Sequence, residues 1–215
     1  MARGSLIVFE GAEGVGKSTQ LRRLASWLEL GGRVVHAHRE PGGTPLGDEI
    51  RRLLLDPNSD ITPRAEALLF MASRAQLVET LVRPGLDAGH VVLLDRFFLS
   101  TYAYQGAGRG LPEAEVRRAN AVATNGLVPD LTLLMTLPVR EGLARAAQRG
   151  ARDRMERNAE EFHHRVSEAF AAFADPAWQA AHPECGPIVT VDASGSEDEV
   201  FARVRAVVQA RLGPG

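Results

Sequence analysis

The fourteen residues Leu6–Thr19, LIVFEGAEGVGKST, constrain this chain more than any other stretch. Four apolar residues run into a turn punctuated by Gly11, Gly14 and Gly16, and Lys17-Ser18-Thr19 closes it. Apolar residues then recur at helical spacing, at Leu21, Leu24, Ala25 and Leu28. Strand, G-x-x-x-x-G-K-S, helix is the context of a P-loop. Glycines let the backbone curl so that successive N–H groups form an anion nest, and the helix N-terminus adds its positive dipole end. Gly11, Ala12, Glu13, Gly14, Val15, Gly16, Lys17, Ser18 and Thr19 are therefore the candidate nucleotide-binding residues. Lys17 is placed to reach the β- and γ-phosphates of ATP, and Ser18 to ligate Mg²⁺. Lys17 is also the only lysine in the chain; every other long basic side chain is arginine. The one lysine stands where a compact ammonium must fit among phosphate oxygens, a place a forked guanidinium fills badly.

The chain has 215 residues, 45% of them hydrophobic, which is ample for one large domain spanning 1–215. A formal charge of −2 gives no broad basic field, so binding of nucleic acid by bulk electrostatics is not suggested. Cys185 is the only cysteine, which excludes an intrachain disulfide and a cysteine metal cluster. No stretch approaches the ~20 apolar residues of a membrane span, and the expectation is a soluble cytoplasmic protein with no membrane partner.

Short apolar segments at Leu6–Glu10, Arg33–Ala37, Val91–Asp95, Leu131–Leu137 and Ile188–Val191 read as buried parallel strands. Helical patterns separate them: Ser18–Glu29, Thr44-Pro45 to about Leu55, Thr62-Pro63 to about Ala88 with Pro84 as a bend, Pro112 to about Thr124, Val139–Arg149, Ala159–Phe173 and Glu197–Leu212. Gly106–Gly110 and Arg149–Arg157 read as loops. Strands alternating with helices imply an α/β fold, a five-stranded parallel sheet covered on both faces in three layers, as in P-loop NTPases.

Val91–Asp95 ends in a carboxylate, and at the carboxyl edge of such a sheet that carboxylate sits beside Mg²⁺. Arg96 follows as a candidate anion-gripping catalytic residue. The lone lysine leaves no N-K-x-D element for guanine, and no L-S-G-G-Q signature occurs. A small nucleotide kinase with an arginine-rich lid remains. The lid candidate is Arg145 to Arg157, RAAQRGARDRMER, where arginines could neutralise a transferring phosphoryl group.

With those parts in place the chain resembles the bacterial thymidylate kinases over essentially its whole length. The resemblance rests on FEGAEGVGKST, on Arg39-Glu40-Pro41-Gly42-Gly43-Thr44, on Asp95-Arg96-Phe97, on STYAYQGAGRG from Ser100 to Gly110, and on Pro129-Asp130-Leu131-Thr132. It implies transfer of the γ-phosphoryl of ATP to dTMP with Mg²⁺, and a homodimer formed through helices. It also implies roles: Phe70 stacking on thymine, Arg74 donating to thymine O4, Thr101 at the polar edge of the base, and Tyr104 beneath the deoxyribose. Glu13 is implied at the 3′-hydroxyl and Glu10 near the metal with Ser18 and Asp95. Arg39, Arg96, Ser100 and Gln105 complete the implied substrate site. No arginine stands within the P-loop, which matches members whose catalytic arginine comes from the lid, and Arg149 is the positional match. Phe97 departs from the tyrosine or histidine usual there. The competing readings are a kinase for another nucleoside monophosphate and a nucleotide-binding module that transfers nothing.

Overall fold

A computed structural model describes residues 3–147, 154–155 and 160–212. Its centre is a parallel sheet of five strands, β1 (Ser5–Glu10), β2 (Val35–Arg39), β3 (Val91–Asp95), β4 (Leu131–Thr136) and β5 (Ile188–Asp192), in the order β2-β3-β1-β4-β5. β1 is central because it is apolar on both faces. Leu6 and Val8 enter one core with Val92, Leu94 and Leu134, while Ile7 and Phe9 enter the other with Leu93, Leu133 and Met135. That alternation is the two-residue period of a strand buried on both sides.

Helix α1 (Lys17–Leu30) and helix α10 (Glu197–Leu212) cover the second face, with Leu21, Leu24, Leu28, Val200, Val204 and Val208 turned into it. The first face carries α3 (Pro63–Leu77), α4 (Arg83–Asp87), α5 (Phe98–Thr101), α6 (Glu113–Thr124) and α8 (Glu160–Ala172), with α2 (Pro45–Leu55) packed on α3. Helix α7 (Val139–Ala147) follows β4, and a short α9 (Pro176–Ala181) precedes β5. Among the described residues no helix is long and apolar enough to cross a membrane.

Several boundaries differ from the sequence expectation for physical reasons. β2 starts at Val35, not Arg33, because the end of α1 uses those residues: the Gly32 amide donates to Glu29 O at 2.9 Å and the Arg33 amide to Leu28 O at 3.0 Å. The helix expected from 63 to 88 is α3 and α4 joined by a π-helical turn, Val78–Val82, in which the Arg83 amide reaches back to Val78 O. Pro84 has no N–H to give, and the widened turn precedes it. Residues 106–110 are not simply a loop. α5 continues as a π-helix over Tyr102–Gly108, held by Arg165, whose Nε and Nη2 donate to Ala107 O and Gly108 O at 3.2 and 2.8 Å. Gly108 lies so close beneath Phe162 that a Cβ there would fall 2.5 Å from its ring. α9 was missed, although its start is written as an N-cap aspartate before proline, Asp175-Pro176, with the Ala177 amide donating to Asp175 at 2.6 Å.

Candidate active site

The register of the sheet assembles the site. Arg39, Asp95 and Phe9 are level across β2, β3 and β1, so the carboxyl ends of three strands open at one edge, where the chain departs into the phosphate loop. There a cavity of about 860 Å³ is lined by Glu13 to Ser18, Thr19, Arg39, Phe70, Arg74, Asp95, Arg96, Ser100, Thr101, Tyr104 and Gln105. These residues come from five stretches of the chain, and the fold brings them around one space.

The loop enters α1 through Gly16 in the left-handed region, φ 88°. Gly14 is also left-handed, φ 77°, and it passes so near α7 that a Cβ would sit 1.9 Å from Gly142 O. No side chain fits that crossing. Lys17 is buried, and its Nζ donates to Gly11 O at 2.9 Å and Ala12 O at 2.8 Å. Gly11 and Ala12 thus serve the site through Lys17 and do not line the cavity. Burial, then the Arg96 charge, lowers the Lys17 ammonium from 10.5 to about 7, against the opposing pull of Asp95, Glu10 and Glu13.

Ser18 Oγ donates to Asp95 Oδ2 at 2.5 Å. Two hard oxygen donors from different elements meet beside the phosphate loop, which fits Mg²⁺, an ion usually held by one or two protein oxygens together with substrate phosphates. Among the described residues no group of three or more acidic, histidine or cysteine side chains is placed to hold a metal ion. Glu10, expected near the metal, is placed differently. It is fully buried, does not line the cavity, and accepts from Phe97 N at 2.7 Å, Ser100 N at 3.1 Å and Ser100 Oγ at 2.7 Å. It holds the start of α5, orphan amides that need an acceptor.

Arg96 is a non-glycine residue in the left-handed region, at φ 77°, a strained conformation just past the carboxyl end of β3. Its Nη1 donates to Ser100 Oγ at 3.0 Å, its Nη2 to the Tyr104 hydroxyl at 3.4 Å, and its guanidinium lies 5.1 Å from the Tyr104 ring centre. Burial pushes the Tyr104 phenol up, so it stays neutral.

Arg74 is 2% exposed, and its guanidinium is fully engaged. It donates to Glu40 Oε2 at 2.7 Å, Thr101 Oγ1 at 2.9 Å, Phe97 O at 2.7 Å and the Asn120 side chain. The Phe97 ring lies 4.9 Å beneath it. Position 97 thus supplies an aromatic face to a buried cation. Burial pushes the Glu40 carboxyl up in spite of Arg74.

The expected lid divides. Arg145 lines the cavity, with Nη1 donating to Ala193 O at 3.3 Å. Arg154 instead joins Leu54 O and the Glu66 carboxylate, each at 2.7 Å. Arg149, the expected catalytic lid arginine, lies outside the described residues, as do Arg152 and Arg157. The sequence reading also missed one wall of the cavity, Ala193, Gly195, Ser196, Glu197 and Val200 between β5 and α10. Its signal was the Ala-Ser-Gly-Ser run at the carboxyl end of a strand, where ligands of open α/β sheets bind.

Comparison with known proteins agrees with this geometry. The thymidylate kinase family model matches residues 9–204. A thymidylate kinase of Deinococcus radiodurans is 46% identical over 211 residues, spanning 98% of this chain and 99% of that one. One from Leifsonia xyli is 48% identical over 212 residues, spanning 97% and 96%. The crystal structure of the Ehrlichia chaffeensis thymidylate kinase superposes with a TM-score of 0.74 at 28% identity, covering 96% of this chain and 99% of that one. Matched along nearly its whole length in sequence and in fold, the chain belongs to the thymidylate kinase family.

Proposed function

We propose that this protein transfers the γ-phosphoryl group of ATP to dTMP, giving dTDP and ADP on the route to dTTP, in the cytoplasm. The observation that carries this reading is continuity: one cavity is lined both by the phosphate loop and by Phe70, Arg74, Thr101 and Gln105. A module that only bound ATP has no use for the second group. With the acceptor base at that end, the wall at Ala193–Ser196 beside α1 is left for the nucleoside of the donor.

The acceptor phosphate of dTMP is largely dianionic at neutral pH, so no general base is needed to create the nucleophile. Catalysis comes from alignment and charge neutralisation. Lys17 exchanges its loop carbonyls for phosphate oxygens, and the P-loop amides hold the donor chain. Arg96, fixed by Ser100 and Tyr104, bridges toward the acceptor phosphate. Mg²⁺, held by Ser18 and Asp95, would neutralise charge on the donor phosphates. Arg149 is proposed as the arginine that covers the transferring group. Tyr104, Glu13, Arg39, Ser100 and Thr101 position the acceptor.

A homodimer is part of the proposal. Leu46 and Leu53 on α2, Leu68 on α3 and Val122 on α6 are large apolar side chains exposed by 43–84% of their surface, and the three helices pack side by side. Chromatographic identification of the product from ATP labelled at the γ-phosphate tests the reaction directly. Labelled dTDP that forms with Mg²⁺ and fails with chelator is expected; label released only as phosphate contradicts it.

A further inference from the structure

Two stripes meet beside the cavity, where Phe70, Arg74, Thr101 and Gln105 line it. Glu66, Phe70 and Arg74 recur every four residues along α3, which puts them on one helix face. Thr101, Gln105 and Arg109 do the same along α5 and its π-helical continuation. Rungs join the stripes: Arg74 to Thr101 at 2.9 Å, Gln105 Nε2 to Glu66 Oε1 at 3.0 Å, and Arg109 to both Glu66 oxygens at 3.1 and 2.9 Å. Glu66 is completely buried and also accepts from Arg154 at 2.7 Å, beside Met155, which lines the cavity.

We propose that Glu66 is a positioning residue of the acceptor site, which fixes the orientation of the Gln105 side-chain amide and so sets which pyrimidine edge the site accepts. This rests on the dTMP reading above. Burial opposes charge on Glu66, but hydrogen bonds from Arg109, Gln105 and Arg154 outweigh it and hold the carboxyl below its ordinary range. An ionised carboxylate only accepts. Facing it, the amide has one choice, NH₂ toward Glu66 and C=O away from it; Gln105 lines the cavity, and on this proposal the carbonyl is the atom it turns to the base. A carbonyl there complements a ring N–H, as thymine presents at N3. It repels a bare ring nitrogen, as cytosine presents at N3. Glu66 itself touches no substrate; it acts through Gln105.

Glu66→Gln separates this role from simple packing, because a glutamine at 66 offers donor and acceptor and lets the Gln105 amide turn over. The measurement is kcat and KM with dTMP and with dCMP for wild type, E66Q, Q105A and the double variant, with ATP saturating. E66Q is expected to raise KM for dTMP about tenfold and to narrow the dTMP-to-dCMP preference about tenfold, the scale of one oriented hydrogen bond. Its kcat is expected to stay within about twofold, as for an interaction made equally in ground and transition states. In the Q105A background E66Q is expected to change the preference no further. An unchanged preference in E66Q, or an equal further change in the Q105A background, overturns the proposal. If E66Q does not fold, Glu66→Asp serves: it keeps an acceptor-only partner and is expected to keep the preference, and its loss there overturns the proposal. Wild-type protein inactive on dTMP sinks the dTMP reading itself; wild type active on dTMP beside an E66Q of unchanged preference sinks only this inference.

Discussion

Single residues in this site are held in states they would not choose in water. Lys17 titrates near 7 in the free protein, against 10.5 ordinarily. The unfolded chain therefore binds more protons than the native one between those values, so this group makes the fold more stable as pH rises through that window. ATP phosphates reverse the effect by restoring the ammonium. Calorimetry of ATP binding at pH 8, in buffers of different ionisation enthalpy, is expected to show uptake of close to one proton (about 0.9 by linkage), lost in Lys17→Met. No uptake contradicts the buried, depressed lysine. Lys17→Ala is expected to fold and to lose at least about 100-fold in kcat, since it removes charge aimed at the transferring group; near wild-type turnover would overturn the P-loop assignment. Arg74 carries a structural consequence too. Arg74→Met strands Glu40 as a buried carboxylate and is expected to lose about 3–5 kcal/mol in urea unfolding, part of it recovered by adding Glu40→Gln. An unaltered midpoint contradicts the ion pair's place in the core.

Elements were legible in the sequence to the extent that their signals were local. β1, the phosphate loop and α1 follow from an apolar run, three glycines and a helical repeat, and β3 falls on Val91–Asp95 as read. The Thr-Pro pairs at 44–45 and 62–63 mark the starts of α2 and α3. What local signals could not carry was tertiary. The π-helix at Tyr102–Gly108 exists because Arg165 and Phe162, over fifty residues away, hold glycines that would otherwise read as loop. Among the residues that line the cavity, Lys17, Asp95 and Arg96 could be read from motif and strand end. The hydrogen bonds of Glu10 to the start of α5, and those of Glu66 and Asn120, span 39 or more residues. The crossing of the P-loop and α7 was likewise invisible. A Cβ on Gly142 would fall 2.8 Å from Glu13 O, so Gly142→Ala is expected to force the two apart. That overpacking should lower stability by about 1–3 kcal/mol and raise KM for ATP; wild-type stability and KM would show the crossing to be slack.

At the scale of the whole molecule, the sheet gathers the residues of the cavity at one edge while large apolar side chains stay exposed elsewhere. Leu68 is 65% exposed and Val122 84%, on helices distant in sequence but packed together. Light scattering is expected to give twice the 23.2 kDa chain mass, and Leu68→Glu to give monomers, because a buried unpaired charge opposes association. A wild-type monomer contradicts the dimer. The chemistry depends on the same gathering of elements. One measurement addresses it most directly: kcat/KM for ADP formation from ATP and Mg²⁺ with dTMP, dUMP, UMP, CMP and AMP in turn. Fast turnover with dTMP and poor turnover with the ribonucleotides is the outcome expected from the roles proposed for Tyr104 beneath the deoxyribose and Phe70 against the base. Preference for another monophosphate would contradict that base site while leaving the phosphate machinery intact, and ATP binding without acceptor-dependent ADP would contradict the kinase reading altogether.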